Sequence, residues 1–189
     1  MLMHPISQQR GVGLVEVLVA LLLLAIAVLG FMAMQMTAIK ATDESLMRTR
    51  ALTIMRGGAE TMRTNLDGIS AFRAAINGDS DTVSIDGASI TKSSCIQNTV
   101  TAPAATDSCT IDQLATRDGL LLKAYAKSND MRIGLATDGC PGTSGNQERQ
   151  CFLASWGDTT LALDDTANAC ANADGIYKNG AECFIMEAY

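Results

Sequence analysis

Between Val17 and Ile39 the chain carries no formal charge over 23 residues, most of them Val, Leu, Ala, Ile or Met. A run of that length and composition is long enough to cross a bilayer as a helix. An ordinary secretory signal has a shorter apolar core followed by a small-x-small cleavage site. Ala25 and Ala27 form such a pair, but they lie inside the run, with Val28 and Leu29 following. The segment therefore reads as a retained span over about residues 14–36. Arg10 flanks its first end. Lys40 flanks the second, followed by Asp43 and Glu44. Lys and Arg are what orient a span, and they favour a cytoplasmic N-terminus.

The cysteines agree. Cys95, Cys109, Cys140, Cys151, Cys170 and Cys183 all follow the span, and none stands before it. An even number in that position points to disulfides in an oxidising compartment. No pair has the Cys-x-x-Cys spacing of a zinc or redox site. Six cysteines allow 15 pairings. The simplest joins sequence neighbours: Cys95 to Cys109, Cys140 to Cys151 and Cys170 to Cys183. The net charge of -6, with 14 basic residues and no basic run, argues against duplex nucleic acid as a partner.

Glu16 is the anomaly. A carboxylate at the head of an apolar helix is expensive unless it is neutralised, paired or near the headgroups. Its surroundings, Gln9-Arg10-Gly11-Val12-Gly13-Leu14-Val15-Glu16, resemble the class III signal of type IV prepilins. In that family a prepilin peptidase cuts after the glycine, and a glutamate stands fifth in the mature chain. Gly11 and Glu16 occupy those positions, which makes Val12 the first mature residue and, by resemblance, the N-methylated one. The family usually has an aromatic residue where Val12 stands, and major pilins commonly carry a helix proline that is missing here. The stretch from Gly11 to Gln35 is similar to that of PilV-like minor pilins. GspI-like minor pseudopilins of type II secretion begin in much the same way.

The resemblance implies an α+β, type IV pilin-like fold: a long N-terminal α-helix packed on a small antiparallel β-sheet domain with disulfide-fastened loops. The expected layout is a leader over 1–11, the helix over 12–65 and an extracytoplasmic domain over 66–189. The implied role is non-enzymatic. The chain would start or modify pilus assembly within a priming or tip complex, and so support twitching motility, adhesion or DNA uptake. The implied partners are other minor pilins, the major pilin, the prepilin peptidase, the inner-membrane assembly platform and its ATPase, with no cofactor. The domain would lie in the periplasm before assembly and on the pilus afterwards. Glu16 would pair with the first-residue amine of a neighbouring subunit, or with its own. The competing class is a single-span anchor carrying a periplasmic binding or enzymatic domain, whose N-terminus would stay uncut.

Further along, Thr37 to Met62 is rich in helix formers. Leu46, Met55, Met62 and Leu66 recur at roughly helical spacing. Gly57-Gly58 is the expected place for a kink or an end. Thr82 to Thr91 alternates about Asp86-Gly87 and predicts a hairpin. Thr110 with Gln113 three residues on predicts a capping box, opening a helix to about Lys127. Leu114, Leu121, Leu122 and Tyr125 are its expected core residues, and Gly119 costs it about 1 kcal/mol. Gln150–Trp156, Thr159–Leu163 and Glu182–Tyr189 read as strands, with polar loops between the cysteines.

Little points to catalysis. The sole histidine, His4, would be lost with the leader, which would leave Ser155 without a histidine base. Asp158, Asp164, Asp165, Asp174 and Glu182 lack the spacing of a calcium loop and read as solvated carboxylates. Trp156 reads as an anchor in the core or at a subunit interface.

Overall fold

The computed structural model describes residues 11, 13–95, 109–137, 139–143 and 149–188. The chain divides into two compact units, Met1–Glu44 and Ser45–Tyr189. The described part of the first is Gly11, Gly13 and the start of helix α1, Leu14–Thr64. Its first turn is closed by the Gly13 carbonyl, which accepts from the N–H groups of Glu16 and Val17. Every described side chain up to Asp43 is exposed. Among them Leu18, Leu22, Leu29 and Met34 offer apolar surface with nothing packed on it.

In the second unit α1 becomes one wall of a core. Ala51, Ile54, Met55, Ala59 and Met62 are buried on one face, at the spacing of an amphipathic helix. Leu46 and Leu66, expected in the same row, are exposed. The opposite side carries threonines whose hydroxyls donate back along the helix: Thr49 to Ser45 O, Thr53 to Thr49 O and Thr61 to Gly57 O, each 2.9 Å. The helix does not end at Gly57-Gly58 but runs through both glycines. Gly58 is there for closeness. A Cβ on it would come within 2.5 Å of Leu122 Cδ2 and 2.9 Å of Phe152 Cζ.

After a single 3-10 turn at Leu66–Gly68 comes a helix the sequence reading did not contain, α2, Ile69–Asn77. Phe72, Ala75 and Ile76 form its buried face. Strands β1, Thr82–Ile85, and β2, Ala88–Thr91, make the expected hairpin. Its turn residues Asp86 and Gly87 both have positive φ, 52° and 80°, the conformation of a tight two-residue hairpin.

Helix α3, Ile111–Lys127, opens with the expected capping box. The Thr110 hydroxyl accepts from Gln113 N–H, and the Gln113 side chain accepts from Thr110 N–H. The core-facing side is a correction. Leu114, Leu121 and Tyr125 are exposed, Leu122 is half-buried, and the buried residues are Ala115, Thr116, Gly119, Leu120 and Ala126. The cause is tight helix packing: a Cβ on Gly119 would lie 2.8 Å from the Phe72 carbonyl and 3.1 Å from Ala75 Cβ.

Strands β3, Arg132–Leu135, β4, Cys151–Ser155, and β5, Cys183–Glu187, form an antiparallel sheet in that order. The expected strand at Thr159–Leu163 is not one. Leu163 makes only an isolated bridge with Ala171, and β4 takes β3 and β5 as neighbours instead. β4 is central and buried throughout. Phe152 and Ala154 join Ile133, Leu135 and Trp156 in the core beneath α1. Phe72 meets Phe152 edge to face at 6.4 Å. Cys151 and Leu153 join a smaller cluster with Ala136 and Cys140, packed by Leu161, Leu163 and Ile185.

Candidate assembly and processing site

The residues expected to matter most stand at the head of α1. Gly11 and Glu16 are exposed, and Val12 lies outside the described residues, as do Arg10 and His4. Glu16 sits in the first turn, where a carboxylate faces the positive end of the helix dipole. Behind it the uncovered apolar stretch of α1 is long and apolar enough to span a membrane. Such a surface is stable only against lipid or other apolar helices.

The six cysteines form three disulfides: Cys95–Cys109, Cys140–Cys151 and Cys170–Cys183. Each joins neighbours in sequence. The residues inside the first loop, 96–108, lie outside the described ones. The second pair ties the chain after β3 to the start of β4. The third, buried at both ends, ties the loop before β5 to its first residue. Disulfides place this domain in an oxidising compartment.

The remaining candidates resolve into structure. Trp156 is 5% exposed within the core. Ser155 is fully buried, and its hydroxyl accepts from Arg132 Nε at 3.4 Å. Arg132 also donates to the carbonyls of Gly157 and Thr159, fastening the turn after β4. Asp164 accepts from the Thr166 hydroxyl and N–H, and these two bonds hold its carboxyl below the usual aspartate range. Lys178 pairs with Asp165 at 2.9 Å. Among the described residues no group of three or more His, Cys, Asp or Glu is placed to hold a metal ion. The residue sequence reasoning missed is Asn77. Its amide bonds both main-chain groups of Leu135 at 2.8 Å. The signal available was the helical spacing of Ile69, Phe72 and Ile76, which would have placed Asn77 at a helix end.

The architecture defines a class: a type IV pilin-like α+β protein, with a membrane-length N-terminal helix carrying a small, disulfide-fastened antiparallel domain. Comparison with known families agrees. Residues 33–120 match the Tt1218-like family, described as type IV pilin Tt1218, and residues 6–32 match the prokaryotic N-terminal methylation motif. No curated protein and no solved structure matches the chain. Over those residues the chain is similar to type IV pilins, and its apolar helix with the methylation motif suits membrane anchoring.

Proposed function

We propose that this chain is a non-enzymatic minor pilin that initiates or modifies type IV pilus assembly as part of a priming or tip complex. The observation that carries the reading is the uncovered half of α1 with Glu16 at its head. A helix apolar on every side needs lipid before assembly and neighbouring helices after it. One carboxylate in that setting needs a cation, and cutting after Gly11 would supply one as the new amine of Val12. Opposite charges attract strongly where the effective dielectric is low, and the pair offsets the desolvation of both. On this reading Glu16 sets the register between subunits. The unbroken α1 and Val12 in place of an aromatic residue favour a minor pilin over a major one, by resemblance. The prepilin peptidase, the inner-membrane platform, the major pilin and other minor pilins are the partners this role requires.

Intact mass tests it. The mature protein is expected to begin at Val12 with one added methyl group, and replacing Gly11 with a bulky residue is expected to leave the full-length chain in the membrane. A native protein that keeps its leader, or normal processing of the Gly11 variant, refutes the pilin role and leaves a membrane-tethered domain. Co-purification of the mature chain with minor pilins of the pilus rather than with secretion components separates the pilus role from that of a type II secretion pseudopilin.

A further inference from the structure

The sequence contains two Asn-Gly pairs, Asn77-Gly78 and Asn179-Gly180. Such a pair can react with itself. The glycine nitrogen reaches the asparagine Cγ to close a five-membered ring, and no glycine β-carbon hinders the approach. The fold treats the two pairs oppositely. Asn77 ends α2, and its side-chain oxygen accepts from Leu135 N–H while its side-chain nitrogen donates to the Leu135 carbonyl, each at 2.8 Å. The Gly78 nitrogen is engaged as well, its N–H donating to the Ala74 carbonyl at 3.1 Å. Ring closure at this pair must break all three hydrogen bonds.

Asn179 and Gly180 are both exposed, at the tip of a turn that Ala181 N–H closes on the Lys178 carbonyl at 3.1 Å. Gly180 has φ 75°, and a Cβ on it would meet nothing within 4 Å. Among the described residues neither the Asn179 side-chain amide nor the Gly180 N–H has a hydrogen-bond partner. The electrophilic carbon and the nitrogen that attacks it are therefore adjacent, solvated and held by neither side chain nor main chain.

We propose that Asn179 is a site of spontaneous modification, at which each copy of the protein acquires a negative charge with age. The Gly180 nitrogen gives up its proton to hydroxide and bonds to Asn179 Cγ. The bond from Cγ to the side-chain nitrogen breaks, and that nitrogen takes a proton from water and leaves as ammonia. Water then opens the cyclic imide at one of its two carbonyls. Opening at the main-chain carbonyl leaves isoaspartate, and opening at Cγ leaves aspartate. Either way one water is consumed and one ammonia released, with no oxidant or reductant. The new carboxylate arises next to Lys178, whose Nζ pairs with Asp165 at 2.9 Å. The chain beyond the turn is fastened, since Cys183, buried at the head of β5, is bridged to Cys170. Conversion thus changes the charge of the turn without releasing the strand. This site does not depend on the assembly reading.

The test incubates the full chain in nanodiscs in mildly alkaline buffer and follows it by peptide mass mapping. The small mass gain of an amide turned into a carboxylate is expected to grow with time in the peptide holding Asn179, as isoaspartate together with aspartate, and faster at higher pH. Asn77 is expected to convert about a hundredfold more slowly, the protection that three hydrogen bonds of ordinary strength provide. In urea with the disulfides reduced, the two pairs are expected to react at similar rates. Asn179→Gln, at an exposed position, is expected to keep the fold and abolish the gain. An Asn179 that stays intact while the unfolded chain converts overturns the proposal, as does a product with no isoaspartate or a gain that persists in the Gln variant. Equal rates at the two asparagines in the folded protein, or a difference that survives unfolding, overturns the assignment of the contrast to the fold.

Discussion

Gly119 shows how far one residue's meaning depends on its neighbours. In the sequence it is a helix-weakening position. In the structure it lets α3 close on α2, since a Cβ there would press on the Phe72 main chain, which cannot swing aside. Gly119→Ala gains about 1 kcal/mol of helix propensity. It is nevertheless expected to destabilise the domain, because overpacking of this kind costs about 1–3 kcal/mol. Urea unfolding measures this as a lower midpoint at unchanged slope, and a raised midpoint would show that α2 yields. Gly58 differs in that Leu122 and Phe152, which a Cβ would meet, are side chains with some freedom to adjust. A processing signal such as the one proposed at Gly11 and Glu16 can be read from a string of letters because it is recognised as a local pattern. The roles of Gly119, Gly58 and Asn77 could not, since each is defined by a partner distant in the chain.

The same division separates the elements. The capping box at Thr110 and the Asp86-Gly87 turn were readable because their hydrogen bonds and dihedral needs lie within a few residues. The inward face of α3 was misread for a physical reason. Leu114, Leu121 and Tyr125 are among its largest apolar side chains, but the helix approaches its neighbours too closely to admit them, and Ala115, Thr116 and Gly119 take the contact instead. Thr159–Leu163 has the composition of a strand, but β4 has already spent both its edges on β3 and β5. The sheet relies on covalent ties at its margins. Replacing Cys140 and Cys151 together with alanine releases a loop closed over a separation of 11 residues. The expected loss is roughly 3 kcal/mol on the loop-entropy account. Denaturant unfolding of the double variant beside the native protein checks it, and an unchanged midpoint would show that packing alone holds β3 to β4.

At the scale of the whole molecule, the membrane-length run, the cysteines confined to one side of it and the prepilin-like junction were enough to indicate the fold. The boundary between the units was less accessible. The second begins at Ser45, well inside α1, because that helix supplies one wall of the domain's core. If Glu16 aligns subunits, Glu16→Val is expected to leave membrane insertion and leader removal intact while sharply reducing recovery of the chain with sheared pili. Recovery at the native level would remove the carboxylate from the assembly step.

The threonines of α1 bear on what such a helix can survive. Because the hydroxyls of Thr49, Thr53 and Thr61 already donate to carbonyls one turn back, their donors ask nothing of whatever comes to lie beside them. A surface made this way can exchange water for protein without stranding a donor, so a change of neighbours there carries no polar toll.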